Sequence, residues 1–222
     1  MKKYIILIPI YNDRESLTKL IEDINSEIDS INSEISIMVI NDASSQQIID
    51  KYQNIENINS FEIINMKENR GHARCIASGL KYIYEKKEFD YVIPMDGDGE
   101  DQPAEIKNFI QLAEQSDNQS IVGERVKRSE SLFFKFCYLF HKFLTLAFTG
   151  QSIKFGNFTC LSKSTIEKML KEKATWNSFS GSLKKIEKDL LSIPSIRGSR
   201  YFGPSKMSFF NLIKHSLSII SV

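Results

Sequence analysis

Four acidic side chains, Asp96, Asp98, Glu100 and Asp101, fall within the six residues Asp96-Gly97-Asp98-Gly99-Glu100-Asp101, directly after the apolar run Tyr91-Val92-Ile93-Pro94-Met95. The run reads as a buried strand. The alternation of aspartate and glycine must leave the sheet, because both residue types favour turns. Carboxylates crowded together repel one another unless a cation neutralises them. Hard oxygen ligands suit Mg2+ or Mn2+, metals that commonly hold substrate phosphates as well. Ligands of open α/β sheets bind outside the carboxyl ends of the strands, so this position suits a nucleotide crevice. The competing reading is an acidic surface turn that caps the next helix, with Asp101 as N-cap ahead of Pro103 and Ala104.

The elements that must position these groups alternate along the chain. Tyr4–Ile8 reads as a first buried strand with Pro9-Ile10-Tyr11-Asn12-Asp13 as the turn at its carboxyl end. Glu15–Ile31 carries apolar residues at helical spacing, Leu17, Leu20, Ile21, Ile24 and Ile28. Strands are expected at Glu34–Ile40, ending in Asn41-Asp42-Ala43-Ser44-Ser45, and at Phe61–Asn65, with a short helix Gln47–Asn54 between them. A helix opening at Asn69-Arg70-Gly71-His72-Ala73 runs to about Lys86. Further helices are expected at Ala104–Gln115, Lys163–Lys171 and Lys184–Leu190, and strands at Ser120–Arg125, Phe155–Cys160 and Ile193–Ile196. Ala174–Leu183 reads as a polar, aromatic loop. This alternation predicts an α/β fold: a single doubly wound, mostly parallel sheet flanked by helices, with right-handed crossovers. No Gly-x-Gly-x-x-Gly follows the first strand and no Walker A sequence occurs, which argues against dinucleotide and P-loop sites.

Lys plus Arg, 29, nearly balance Asp plus Glu, 28, so no global field points to nucleic acid as a partner. Three scattered cysteines, Cys75, Cys137 and Cys160, form neither a zinc pattern nor a disulfide framework, which fits a reducing cytosol. No uninterrupted apolar run is long enough to span a bilayer. Two stretches nevertheless pair bulky apolar residues with basic ones. In Ser131–Phe148, Lys135, His141 and Lys142 interrupt a row of aromatic and aliphatic residues, and Met207–Val222 carries Lys214 and His215. Such helices can lie in the headgroup layer. Alternatively they pack on the sheet or on a second copy, which would make the protein a homo-oligomer. The apolar ending at Val222 leads us to expect further chain beyond it. Arg197-Gly198-Ser199-Arg200-Tyr201-Phe202-Gly203-Pro204-Ser205-Lys206 is too rich in glycine, serine and proline to be regular, and its basic groups could grip an anion.

Six stretches in order resemble the family 2 glycosyltransferases of the GT-A fold: Pro9-Ile10-Tyr11-Asn12-Asp13, Asn41-Asp42-Ala43-Ser44, Asn69-Arg70-Gly71, Asp96 to Pro103, Gly123-Glu124-Arg125 and Arg200 to Lys206. Each alone is weak. Together they span nearly the whole chain, and the closest branch looks like the dolichol- or polyprenyl-phosphate sugar transferases. The resemblance implies a GT-A domain over 1–206, with a nucleotide half 1–103 and an acceptor half 104–206, followed by an amphipathic segment 207–222 leading toward membrane helices. It implies transfer of a sugar from a UDP or GDP donor, with inversion and a Mg2+ or Mn2+ ion, at the cytoplasmic face of the membrane.

Carried over by position, Pro9, Tyr11, Asn12 and Asp13 would border the nucleoside, Asp42 would hydrogen-bond the base, and Arg70 and Gly97 would line the donor site. Asp96 would face the ribose and the metal, Asp98 would be the principal metal ligand, and Glu100 stands where the branch has a glutamine near the metal. Arg125, Arg200, Ser205 and Lys206 fall where the branch grips phosphates. Asn41 replaces the family's usual first aspartate, and Asn157 stands where the lipid-phosphate branch often has an arginine. His72, His141 and His215 share no spacing with one another and read as structural.

A phosphate acceptor, already ionised, needs positive clamps more than a base. A glycan hydroxyl would need a carboxylate base, for which Asp101 is the candidate. A sugar-nucleotide nucleotidyltransferase would show a glycine-rich basic loop after the first strand, which Pro9–Glu15 is not. A non-catalytic binding protein on the same fold is disfavoured by the intact Asp96 and Asp98.

Overall fold

The computed structural model describes residues 1–47, 55–127 and 153–203. The expected helix Gln47–Asn54 and the stretches Ser131–Phe148 and Met207–Val222 lie wholly or almost wholly outside them, as do Ser205 and Lys206. Along the chain come β1 (Lys3–Ile10), α1 (Arg14–Glu27), β2 (Glu34–Asn41), β3 (Ser60–Asn65), α2 (His72–Lys86) and β4 (Tyr91–Pro94). A 3-10 turn at Pro103–Glu105 leads into α3 (Ile106–Gln115), followed by β5 (Ile121–Lys127), β6 (Phe155–Ser162), α4 (Lys163–Lys171), a second 3-10 turn (Lys173–Trp176), α5 (Phe179–Ile186) and β7 (Leu191–Ile196).

The strands form a seven-stranded sheet in the order β3-β2-β1-β4-β6-β5-β7. β1 is parallel to both β2 and β4, β2 to β3, and β5 to β7. β6 is antiparallel to both its neighbours and so runs against the rest of the sheet. The expected mostly parallel, doubly wound α/β architecture is therefore present. Alternate residues of β1 feed opposite faces, as strand geometry requires. Tyr4, Ile6, Ile8 and Ile10 join Leu17, Leu20, Ile21 and Ile24 of α1 and Phe109 of α3 in one core. Ile5 and Leu7 join Ile76, Leu80 and Ile83 of α2, Ile166 of α4 and Leu183 of α5 in the other. Gly79 lets α2 sit close on this second face, since a Cβ there would lie 2.5 Å from Leu7 Cδ1.

Three sequence expectations need correction. Pro9 does not end β1, which continues to Ile10 in register with Asn41. Residues facing one neighbour alternate along a parallel strand: the Leu7 carbonyl accepts from Met95 on the β4 side and the Ile10 carbonyl from Asp42 on the β2 side. Pro9 thus faces β4 beyond that strand's last residue, where no ladder bond needs its missing N–H. Helix α2 starts at His72 rather than Asn69, because Gly71 at φ +87° breaks the helical path. Ala174–Leu183 is not a loop. Ser178 caps α5 by accepting from the Gly181 amide at 3.3 Å, and buried Thr175 and Ser182 share a 2.6 Å hydrogen bond. Phe179, Leu183 and Ile186, at helical spacing, set α5 on the second core.

The strand order reverses between β1 and β4, which opens a crevice at their carboxyl ends. Gly97 is fitted into it: a Cβ there would meet the Pro9 carbonyl oxygen at 3.1 Å and Ile10 Cδ1 at 3.2 Å. Because β6 runs backwards, its first residues, Phe155-Gly156-Asn157, arrive at the same end of the sheet as the last residues of β4, β5 and β7.

Candidate active site

The acidic turn after β4 is folded on itself. The Asp96 amide donates to Asp101 Oδ2 at 2.9 Å, and the Glu100 amide donates to Asp98 Oδ1 at 3.0 Å. Asp101 is thus turned inward, 6% exposed, and does not cap the following helix, contrary to the capping alternative. Gly99 takes φ +87°, a conformation that costs any residue with a Cβ. The ring of Tyr201 lies directly on it, 2.4 Å from where a Cβ would be.

That ring belongs to the segment after β7, which is laced along the acidic turn. The Gly198 amide donates to the Glu100 carbonyl at 2.8 Å and the Tyr201 amide to the Asp98 carbonyl at 2.9 Å. Gln102 Nε2 donates to the Ile196 carbonyl at 3.0 Å, and the Ile196 amide donates to Glu105 Oε1 at 2.8 Å. The Tyr201 hydroxyl donates to Asp23 Oδ2 on α1 at 2.7 Å. The segment delivers two arginines. Arg197 pairs with Glu100. Arg200 donates from Nη1 to Asp98 Oδ2 at 2.8 Å and from Nη2 to Asp13 Oδ2. Asp13 also accepts from Ser16 Oγ at 2.7 Å.

Asp96 faces another group. His72 Nε2 lies 3.2 Å from Asp96 Oδ1, and Asn157 Nδ2 lies 2.7 Å from the same histidine nitrogen and 3.4 Å from Asp96 Oδ1. The Arg125 guanidinium lies over Gly156, with Nη2 2.5 Å from where a Cβ would sit. The charges sort themselves accordingly. Burial works against the Asp96 charge, but His72, Arg197 and Arg125 outweigh it and hold its carboxyl well below the usual range. Burial also opposes the His72 charge, and Asp96 overcomes it to raise the imidazole pKa. Burial and the Asp96 charge push Asp98 up against the pull of Arg200 and Arg197. The same two causes push Asp101 well above the carboxylate range. The crowding of Asp96, Asp98 and Asp101 makes a field that a further cation would relieve.

Carboxylates of this kind fit a hard divalent cation, and Asp96, Asp98 and Glu100 share one turn. As the side chains stand, among the described residues no three acidic, histidine or cysteine side chains converge on one point. Asp98 and Glu100 are turned to Arg200 and Arg197 instead.

The loops after β1 and β2 form the other wall. Asn12, at φ 50°, accepts through Oδ1 from the Ser45 amide at 2.8 Å, and its own amide donates to Ser44 Oγ at 2.9 Å. Tyr11 is exposed. Asp42, 4% exposed, accepts from the Arg70 amide at 2.8 Å and the Gly71 amide at 2.9 Å. It fastens the loop that opens α2. The Arg70 side chain turns outward to Glu68.

The structure thus brings Pro9, Asp13, Asp96, Gly97, Asp98, Glu100, Asp101, Arg125 and Arg200 to one end of the sheet, with Tyr11, Asn12 and Asp42 beside them; the Arg70 guanidinium points away. Sequence reasoning missed Arg197 as a separate partner of Glu100, the latch Tyr201–Asp23, and the contact of His72 with Asp96. The place of His72, one residue after the loop glycine of a strand–helix turn, was the available signal.

Residues 5–177 match the family described as glycosyl transferase family 2, and the chain belongs to it. Solved structures share the fold. Glucosyl-3-phosphoglycerate synthase from Mycobacterium tuberculosis, in complex with Mn2+, UDP and phosphoglyceric acid, superposes with TM-score 0.71 at 12% identity, over 99% of this chain and 76% of that one. The mannosyltransferase PcManGT from Pyrobaculum calidifontis, with GDP-Man and Mn2+, gives 0.63 at 14% identity, over 99% and 70%. S. aureus TarS 1-349 gives 0.59 at 15% identity, over 88% and 60%. The chain spans 60% of that TarS chain and 37% of the longer TarS chain.

Replacing Asp42 by Asn exchanges one acceptor oxygen for a donor facing an amide N–H. Leaving that partly buried amide unsatisfied costs about 1 kcal/mol, the low end of the range for a lost partner. Asp42→Asn is expected to lower the urea midpoint correspondingly and to weaken nucleotide binding by loosening the Arg70-Gly71 loop. An unchanged midpoint would show that the two amides do not depend on this carboxylate.

Proposed function

We propose that this chain catalyses transfer of a sugar, with inversion, from a UDP- or GDP-linked donor to a polyprenyl phosphate at the membrane surface. The observation that carries the reading is the acidic turn at the carboxyl end of β4, set at the switch point of the sheet and faced by Arg125 from β5 and by Arg197 and Arg200 from the segment after β7. The nucleoside half of the donor lies along the loops after β1 and β2. There Tyr11 offers an exposed face for the base, and Pro9, Asn12, Asp13 and Gly97 form the floor. Asp42 shapes the wall by holding Arg70 and Gly71. Asp98, with Asp96 and Glu100, would hold Mg2+ or Mn2+, a Lewis acid that offsets charge on the departing diphosphate.

Inversion follows from one displacement. The acceptor oxygen forms its bond to the anomeric carbon on the face opposite the diphosphate as the carbon–oxygen bond to that diphosphate breaks. An ionised phosphate acceptor needs orientation and positive charge rather than a base. Arg125 supplies charge on the acceptor side, and Arg200 on the diphosphate side; Lys206, with Ser205 as a neutral donor, would add to them, though both lie outside the described residues. Asp101, buried in its own turn, is poorly set to reach an acceptor. A second reading, transfer to a glycan hydroxyl, is favoured by Asn157, whose neutral amide stands beside Asp96 where a further phosphate clamp would be expected.

Two predictions separate these layers. In a thermal-shift panel of UDP, GDP, CDP and dTDP with Mn2+, UDP or GDP should raise the melting temperature, because a ligand of the native state stabilises it. Asp98→Ala should keep its circular dichroism, lose that Mn2+-dependent shift and lose several orders of magnitude in turnover. Turnover within about tenfold of wild type, about 1.4 kcal/mol, would remove Asp98 from the machinery.

The membrane part rests on the basic, aromatic stretch Ser131–Phe148 and the segment Met207–Val222. Among the described residues no helix is long and apolar enough to cross a membrane. The chain is expected to sediment with anionic liposomes at low salt and to be partly released at high salt, as surface charge is screened. A protein that stays in the supernatant and glycosylates a soluble acceptor equally well would select the glycan reading.

A further inference from the structure

Arg200 sits where a metal ligand is expected to be free. Its side chain is 16% exposed, that of Asp13 13% and that of Asp98 21%, so the three charges are largely withdrawn from water. Every side of the guanidinium fork is used: Nη1 on Asp98, Nη2 on Asp13, and Nε on the Phe202 carbonyl at 3.1 Å. The segment that carries it is fixed to the acidic turn by the Gly198 and Tyr201 amides and to α1 by the Tyr201 hydroxyl. This differs from an exposed ion pair, which contributes little and comes apart readily.

Both Asp98 oxygens are engaged, Oδ1 by the Glu100 amide and Oδ2 by Arg200. A divalent cation taking Asp98 would meet a guanidinium on the same carboxylate. Arginine cannot relieve that repulsion by losing a proton, so the cation binds better once the side chain leaves. Leaving strands a charge in a poorly hydrated place unless a new anion receives it. A diphosphate beside the metal is such an anion, and its geometry suits the arginine fork.

We propose that Arg200 is an internal counter-cation that holds Asp98 and Asp13 until a divalent metal and a nucleoside diphosphate arrive together, and then passes to the diphosphate, coupling the two binding events. The proposal rests on the metal-dependent reading above. Coupling of this kind is reciprocal: whatever factor the nucleotide adds to metal affinity, the metal adds to nucleotide affinity.

The test is a Mn2+ titration by electron paramagnetic resonance, without nucleotide and then with UDP or GDP, on wild type, Arg200→Met and Asp13→Asn. Arg200→Met keeps the apolar stem and removes the charge. Asp13→Asn loosens Arg200 without touching Asp98, and it decides the question by the same comparison should Arg200→Met fail to fold. Wild type should bind Mn2+ weakly alone and about tenfold or more tighter with nucleotide. Arg200→Met should bind Mn2+ alone about tenfold tighter than wild type, with the nucleotide's gain reduced in proportion. Asp13→Asn should fall between. If wild type shows the nucleotide-assisted gain but the variants bind Mn2+ alone no tighter than wild type, the counter-cation role is overturned while the metal-dependent reading stands. Absence of Mn2+ binding to wild type under every condition would overturn both.

Discussion

Mutual repulsion among carboxylates at the carboxyl end of β4 is the constraint to which the rest of this site answers. Asp96, Asp98 and Asp101 occupy one tight turn, and each carboxylate makes its neighbours harder to ionise. The protein meets that field from several directions. His72 and Asn157 face Asp96, Arg125 lies over Gly156 beside it, and the segment after β7 lays Arg197 and Arg200 against Glu100, Asp98 and Asp13. The backbone contributes too, through the Asp96 and Glu100 amides.

The topology makes this convergence available. Reversal of strand order between β1 and β4 opens the crevice, and the parallel course of β1, β2, β4, β5 and β7 sends each of their following loops to the same end. The antiparallel β6 brings in its beginning instead of its end, which is how Asn157 reaches Asp96. Close approach then depends on glycines at particular contacts: Gly97 against the Pro9 carbonyl, Gly99 beneath Tyr201 and Gly156 beneath Arg125. The result is a site whose floor belongs to the sheet and whose cover is a separate segment, held by hydrogen bonds and ion pairs.

Much of this was legible in the sequence. The buried spacing of Leu17, Leu20, Ile21 and Ile24 set the inner face of α1, and Lys163–Lys171 was read with the bounds it has as α4. The turns after β1, β2 and β4 were recognisable because strands there give way to aspartate, asparagine and glycine. Other features left no local signal. The direction of β6 depends on pairing, which strand composition does not encode. α5 was hidden because its apolar stripe, Phe179, Leu183 and Ile186, is short and lies among serine, threonine and glycine, whose hydrogen bonds close only in the fold. The Tyr201–Asp23 bond joins positions 178 apart, and Asp42 reveals its hold on Arg70 and Gly71 only once β2 and α2 are neighbours.

We propose that the turn after β4 binds a metal–nucleotide pair in exchange for its own arginine. A crystal grown with Mn2+ and UDP or GDP, measured at the manganese absorption edge, tests it most directly. An anomalous peak is expected bonded to Asp98 and to a diphosphate oxygen, with the Arg200 guanidinium moved from Asp98 onto the diphosphate. A nucleotide bound elsewhere, or a metal at Asp98 with the Arg200–Asp98 pair still closed, would contradict it.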